Sequence, residues 1–314
     1  MATNPYPTAR RVEPTPESGR RALERAVVAT LAYADVFGHA LTATEVHRHL
    51  IAVRATPTQV RAALAQVGGL SRGNGYYALP GRQAVVATRL RRAATAARLW
   101  PRALRWGRAL AALPFVRMVA VTGALAVDCV EQGADVDFLI VAATGRVWVC
   151  RALVVALARV VSLRGAALCP NYLLSEDALE IPVRSLYTAH ELVQMVLIAG
   201  RPTFLKMIHA NPWVAEFLPN ANAAHTVPDD ARLVGGALTR LAETPLCGKF
   251  GDLLESRLRL WQSARLRRKI EAGQLGGREA SFGADGYKGH FDAHGEQIMA
   301  SWEARLHELR GPLA

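Results

Sequence analysis

The 314-residue chain has no uncharged apolar run near the ~20 residues a membrane-spanning helix requires, because arginines such as Arg151 and Arg159 interrupt each one. Its first residues, MATNPYPTARRVEPTPESGRR, carry no apolar core of a signal peptide. Cysteine is scarce. Cys129, Cys150, Cys169 and Cys247 lie far apart with no CxxC pair, which argues against a disulfide or zinc framework and for reduced, mostly buried thiols. These absences predict a cytoplasmic protein with no membrane partner. Acid is also in short supply: 26 Asp and Glu face 38 Lys and Arg, a formal charge of +12. Such a balance suits polyanionic partners without deciding fold or chemistry. The chain is 51% apolar, enough to bury a core, and its length is about twice that of a typical domain.

Local signals divide the chain. Pro5, Pro7, Pro14 and Pro16 deny residues 1–19 a regular element and predict a disordered tail. From there to Gly38, apolar residues at Leu23, Val27, Leu31 and Ala34 follow helical spacing. Thr42 with Glu45, and Thr56 with Gln59, are capping boxes that start two further helices, the second with Pro57 at its first position. A Gly-Asn-Gly turn at 73–75 then joins two short strands. Three helices and a hairpin in this order, over residues 20–82, predict a winged helix-turn-helix. Gln59, Arg61 and Arg72 are its candidate nucleic-acid contacts.

Residues 83–114 are expected to form a basic helical linker. With Arg82 at its edge, the stretch 82–112 holds eight arginines and no acid, and Pro101 should kink or divide it. The arginines read as a solvated face that also suits a phosphate backbone. Strand signals begin at Phe115. VRMVAVTG, ADVDFLIVA and AALCPNYLLS are strand candidates separated by helical segments, with Pro170 marking the last as an edge or an irregular start. The segment 185–200 reads as one helix, and residues 219–314 as a helical region with a glycine-rich surface loop at 273–289. Trp148, Trp213 and Trp261 read as packing residues. The fold class expected is α+β, with the winged helix followed by a small mixed-sheet domain over 115–218 and an α-helical C-terminal region.

One segment carries chemistry. Asp135 and Asp137, two apart on a strand, project to one face with Cα atoms roughly 6–7 Å apart. Adjacent carboxylates repel unless a cation lies between them, and Mg²⁺ fills that role while accepting phosphate oxygens. The turn at Gly123-Ala124 precedes a helix start whose N–H groups suit a phosphate.

The pattern Gly123-Ala124, ten residues, then Asp135-Val136-Asp137 running into Phe138-Leu139-Ile140-Val141 resembles the DNA polymerase β-like nucleotidyltransferase superfamily. The resemblance covers about residues 115–200. It implies Mg²⁺ as cofactor, held by Asp135 and Asp137, and an NTP as substrate with its phosphates at Gly123 and Ala124. A nucleoside monophosphate would pass to a small molecule, a protein or a nucleic acid. The chain departs from the pattern twice. Ala124 replaces a Ser or Gly, and Asn171 stands at the third-ligand position where the family has a carboxylate; the nearest acids are Glu176, Asp177 and Glu180. These departures suit an alternative, a winged-helix DNA-binding regulator whose degenerate nucleotidyltransferase domain senses a nucleotide.

Overall fold

A computed structural model describes residues 16–162, 168–221, 236–272, 281–282, 286–288 and 292–309. The N-terminal unit is built from α1 (Pro16–Val36), β1 (Leu41–Thr42), α2 (Ala43–Arg48), α3 (Pro57–Gln66), β2 (Ser71–Gly73) and β3 (Tyr76–Ala78). Its three strands form an antiparallel sheet in the order β1-β3-β2. Both capping boxes form: Thr42 and Glu45 cap α2, and Thr56 and Gln59 cap α3. Helix α1 begins at Pro16, so the last residues of the expected tail are helical; residues 1–15 lie outside the described ones.

Helix α4 (Gln83–Ala111) is one helix with Pro101 inside it, so the proline does not divide it. The central sheet follows. Strand β4 (Val116–Thr122) turns through the single-turn α5 (Gly123–Ala126), β5 (Val136–Ala142) leads to α6 (Val147–Ser162), and β6 (Leu168–Ser175) precedes α7 (Leu186–Gln194) and β7 (Val196–Ala199). Beyond them lie α8 (Arg201–Ala210), α9 (Val214–Phe217), α10 (Ala237–Glu243), α11 (Lys249–Glu271), β8 (Ser281–Phe282), β9 (Gly286–Lys288) and α12 (Asp292–Leu309). The six-stranded order is β7-β4-β5-β6-β9-β8, with β5 and β6 parallel and the other pairs antiparallel. The chain is therefore α+β with two sheets.

Two further expectations change. The helix expected over 185–200 ends at Gln194, and the apolar run after it pairs with β4 as strand β7. The glycine-rich stretch supplies β8 and β9 to the sheet edge. Strand β6 is interior, between β5 and β9. Pro170 lies where the β5 register shifts, between Cys169 and Tyr172, the irregular start that a proline favours.

The central sheet is covered on both faces. Phe138 and Ile140 of β5 pack with Trp148 of α6, Leu110 of α4 and Leu266 of α11. Leu139 and Val141 of the same strand face the other way, as the two-residue period of a strand demands. They join a core that also contains Val27 and Leu31 of α1, Leu64 of α3, Leu192 of α7 and Trp302 of α12. The N-terminal unit and the sheet thus share one hydrophobic core. Polar contacts reinforce the junction. Buried Arg89 of α4 donates to the Asp128 carbonyl (2.7 Å) and to Glu45 (3.2 Å), and Trp302 donates to the Ala29 carbonyl (3.0 Å). Asp35 of α1, its side chain 2% exposed, pairs with Arg82 at 2.7 Å and with Arg305 of α12.

Candidate functional site

A cavity of about 530 Å³ lies between the N-terminal unit and the central sheet. One wall comes from α1 and the segment after it, through Thr30, Tyr33, Ala34, Phe37, His39, Leu41 and His49. The opposite wall is the end of β4 with its glycine turn (Thr122, Gly123, Ala124), Asp137 of β5, and Tyr187, His190, Glu191 and Gln194 of α7. Arg92, Cys129 and Glu131 also line it, and the Arg92 guanidinium donates to Glu131 at 2.6 Å and to the Gly38 carbonyl at 2.9 Å.

The register explains why the glycine turn and the acid meet. Thr122 pairs with Asp137, so the turn just after β4 sits over the start of β5. Gly123 has φ +65°, and a Cβ there would lie 2.7 Å from Asp137 Oδ2. Only glycine fits this backbone beside this carboxylate.

Sequence reasoning therefore pairs Gly123, Ala124 and Asp137 as the structure does. Asp135 is placed elsewhere: it lies in the exposed lead-in to β5 and does not line the cavity. Asn171 sits on β6 between Cys169, which pairs with Asp137, and Tyr172; its side chain is outside the described residues. Glu176, Asp177 and Glu180 cannot supply the missing carboxylate at this end. Strand β6 runs parallel to β5 with Ser175 opposite Ala142, five residues or about 17 Å beyond Asp137.

Two further acids line the cavity with Asp137: Glu131, engaged by Arg92, and Glu191. Loss of water around Glu191, then the Asp137 charge, pushes its carboxyl up to about 7. Around these acids is a cluster of uncharged rings. His190 stacks on Tyr33 with centroids 4.1 Å apart and planes 9° apart, and His49 tilts against His190 at 5.3 Å. Burial, then Arg89, lowers His39 to about 3; burial, then Arg48, lowers His49 to about 3. Burial and then His49 hold His190 well below its ordinary value. The Tyr33 hydroxyl is raised well above 10, first by burial and then by Glu191. His190 Nδ1 bonds Gln194 at 3.1 Å, while His190 Nε2 and His39 Nδ1 are buried without a partner among the described residues.

Glu191, His190 and Tyr33 were missed from the sequence. The available signal was a polar pair, His190-Glu191, inside a helix whose other inward positions are Leu186, Ala189, Leu192 and Val193.

The candidate nucleic-acid contacts divide as well. Gln59 accepts from the Thr56 N–H and is committed to its cap. Arg72 donates to the Leu64 carbonyl near the end of α3 and lies over the Tyr77 ring, bracing the hairpin. Arg61 is exposed. On α4, Arg89 and Arg92 are engaged, while Arg91, Arg98, Arg105 and Arg108 are exposed. Trp148 and Trp213 are buried, but Trp261 is 57% exposed and does not pack as expected. Cys150 is buried, Cys129 partly so and Cys247 exposed.

Mg²⁺ is implied by the family resemblance, and the donor set was tested against it. Among the described residues, no group of three His, Cys, Asp or Glu side chains is disposed to hold a metal ion. Asp137 and Glu191 share the cavity with one arginine already engaged by Glu131, and Asp135 lies outside. Among the described residues this set does not fit the carboxylate site that the resemblance implies. Among the described residues no helix is long and apolar enough to cross a membrane. Comparisons with family models, with curated proteins and with solved structures each return no match for this chain.

Proposed function

We propose that the chain is a ligand-responsive nucleic-acid-binding regulator. In this reading the N-terminal unit is a winged helix that meets nucleic acid, and a degenerate nucleotidyltransferase-like sheet holds a small ligand. The observation that carries it is the division of the cavity walls between α1 on one side and β4, β5 and α7 on the other. A molecule bound there touches both units at once, so its binding free energy biases their relative arrangement. The exposed arginines Arg91, Arg98, Arg105 and Arg108 on α4, with Arg61 on α3, supply cations for a phosphate backbone.

Anisotropy of a labelled DNA duplex at two salt concentrations tests the reading. Wild type should bind with steep salt dependence. Ala34→Phe, which fills the cavity from α1 as a ligand would, should change the affinity several-fold while the circular dichroism stays native. Absence of duplex binding at moderate salt, or equal affinity for a folded Ala34→Phe protein, rejects the proposal.

A second reading is favoured by one contact, the carboxylate of Asp137 against the Gly123 turn. It is transfer of a nucleoside monophosphate from an NTP, a reaction that would need donors beyond Asp137 and Glu191 to hold its metal ion. Pyrophosphate release by wild type that is lost in Asp137→Asn would support it, and equal background rates would remove it.

A further inference from the structure

We propose that the outer face of α11 docks an acidic amphipathic helix of a partner protein. This surface is separate from the cavity and does not depend on the regulator reading.

The inner face of α11 is already committed. Glu255 and Gln262 bond the first turn of α6, and Leu254, Leu258 and Leu266 pack into the core of that side of the sheet. A helix fixed in this way cannot turn its other side inward. That other side is not the polar surface of an ordinary solvated helix. Among the described residues nine large apolar side chains are exposed, and four of them are here: Phe250, Leu253, Leu260 and Trp261, each more than half exposed. Helical spacing gathers them on one flank about 16 Å long. Single leucines scattered on a surface are ordinary, but a row of large apolar side chains marks an interface.

The flank is studded with cations. Arg257 stands within it, between Leu253 and Leu260, and Arg265, Arg267 and Arg268 follow it, all exposed. Among the described residues no carboxylate pairs with these four, and Arg265 lies over the Trp261 ring at 5.9 Å. The acids of the helix lie elsewhere: Asp252 pairs with Arg146 at 2.8 Å, Glu255 caps α6, and Glu271 is the last residue.

Charge complementarity selects the occupant. Guanidinium forks bind carboxylates bidentately, and only a partner with an apolar side of its own also covers Leu253 and Leu260. An amphipathic helix laid along α11 meets both demands, with its apolar side on the row and its acids beside Arg257 and Arg268. Aromatic rings together with arginine are the composition of interface hot spots. A second copy of this face would set Arg257 and Arg268 against the same cations. A sugar-phosphate chain would leave the leucines uncovered, and an acyl layer would have to take in Arg257 from the middle of the row.

The test uses the full chain and a fluorescein-labelled peptide of leucine and glutamate at amphipathic helical spacing, about 18 residues long, read by anisotropy. Wild type should bind it at concentrations to about 100 µM. A peptide of the same composition without an apolar side, and one with lysine for glutamate, should each bind at least about tenfold more weakly. Leu260→Ser with Trp261→Ser should weaken the acidic peptide at least about tenfold. Arg257→Glu with Arg268→Glu should reverse the preference between the glutamate and lysine peptides. These side chains are exposed, so the circular dichroism should stay native, and either pair carries the test if the other fails to fold. No binding of the acidic peptide, equal binding of its lysine counterpart, or a preference that survives both pairs overturns the proposal. So does self-association in sedimentation velocity that Leu260→Ser with Trp261→Ser abolishes, which assigns the face to a second copy. A thymidine oligonucleotide or phosphatidylserine vesicles bound more tightly than the peptide, and lost with the same pair, would overturn it in favour of nucleic acid or a membrane surface.

Discussion

The two faces of the central sheet are built from the same strands and have opposite characters. On one face Phe138 and Ile140 meet Trp148, Leu110 and Leu266, and side chains of α11 cap and brace α6. Glu255 of α11 accepts the first N–H groups of α6 from Trp148 (2.8 Å) and Val149 (2.9 Å), and Gln262 donates to the Trp148 carbonyl at 3.0 Å. On the other face, one residue along β5, Asp137 opens into a space edged by Glu191 and three neutral histidines. A strand's alternation has put an apolar layer and a cavity 180° apart. Both faces bury a core, but only the second also encloses ionisable groups beside a cavity.

The largest expected effect tests the packed face. Trp148→Ala removes a side chain with 0% exposure and should cost about 3–5 kcal/mol, read by urea unfolding. If it costs no more than a surface change, the contrast between faces fails.

Next is pH. The three histidines are neutral when folded but titrate near 6.5 when unfolded, so below 6.5 the unfolded state takes up three protons that the folded state refuses. Glu191 acts oppositely: folded it is protonated below about 7, whereas unfolded it ionises above its ordinary 4.5. Between pH 6.5 and 4.5 this cluster leaves a net uptake of two protons on unfolding, about 2.7 kcal/mol of lost stability per pH unit. Urea midpoints at pH 7.5, 6 and 5 measure it. A flat profile would mean these rings are hydrated, and the cavity face would no longer differ from an ordinary surface.

A smaller effect belongs to the rim. Asp35→Asn weakens the pairs to Arg82 and Arg305 that tie α1 to α4 and α12, and about 2 kcal/mol should be lost. The least is expected at the cavity itself. His190→Leu relieves an unpartnered buried nitrogen but gives up the Gln194 bond and the Tyr33 stack, so the effects offset and stability should change by less than about 1 kcal/mol. The contrast with Trp148→Ala, two buried aromatic rings with unequal outcomes, is the sharpest form of the comparison.

What the sequence disclosed follows from the range of the interactions. The caps at Thr42 and Thr56 were legible because a capping box spans three residues. Gly123 and Asp137 were legible because strand, turn and strand lie within a short segment. Strand β7 was not. Met195–Ala199 continues the apolar content of α7 and becomes extended only by pairing with β4, and Gly200 at φ +90° packs on the Arg117 carbonyl with no room for a Cβ. Strands β8 and β9 depend on β6, more than a hundred residues earlier in the chain. Glu191 and Tyr33 meet Asp137 only through tertiary packing, so no spacing rule could join them. Asp135, with the right spacing, falls outside because β5 begins only at Val136.

The bond from Trp302 to the Ala29 carbonyl spans 273 residues. During synthesis, α1 leaves the ribosome long before its partner helix exists. Until then one flank of α1, including the buried Asp35, has no cover from α12. The N-terminal unit completes its folding only when nearly the whole described chain has been translated. A ribosome that stalls before α12 would leave an incomplete protein with this seam open to chaperones and proteases.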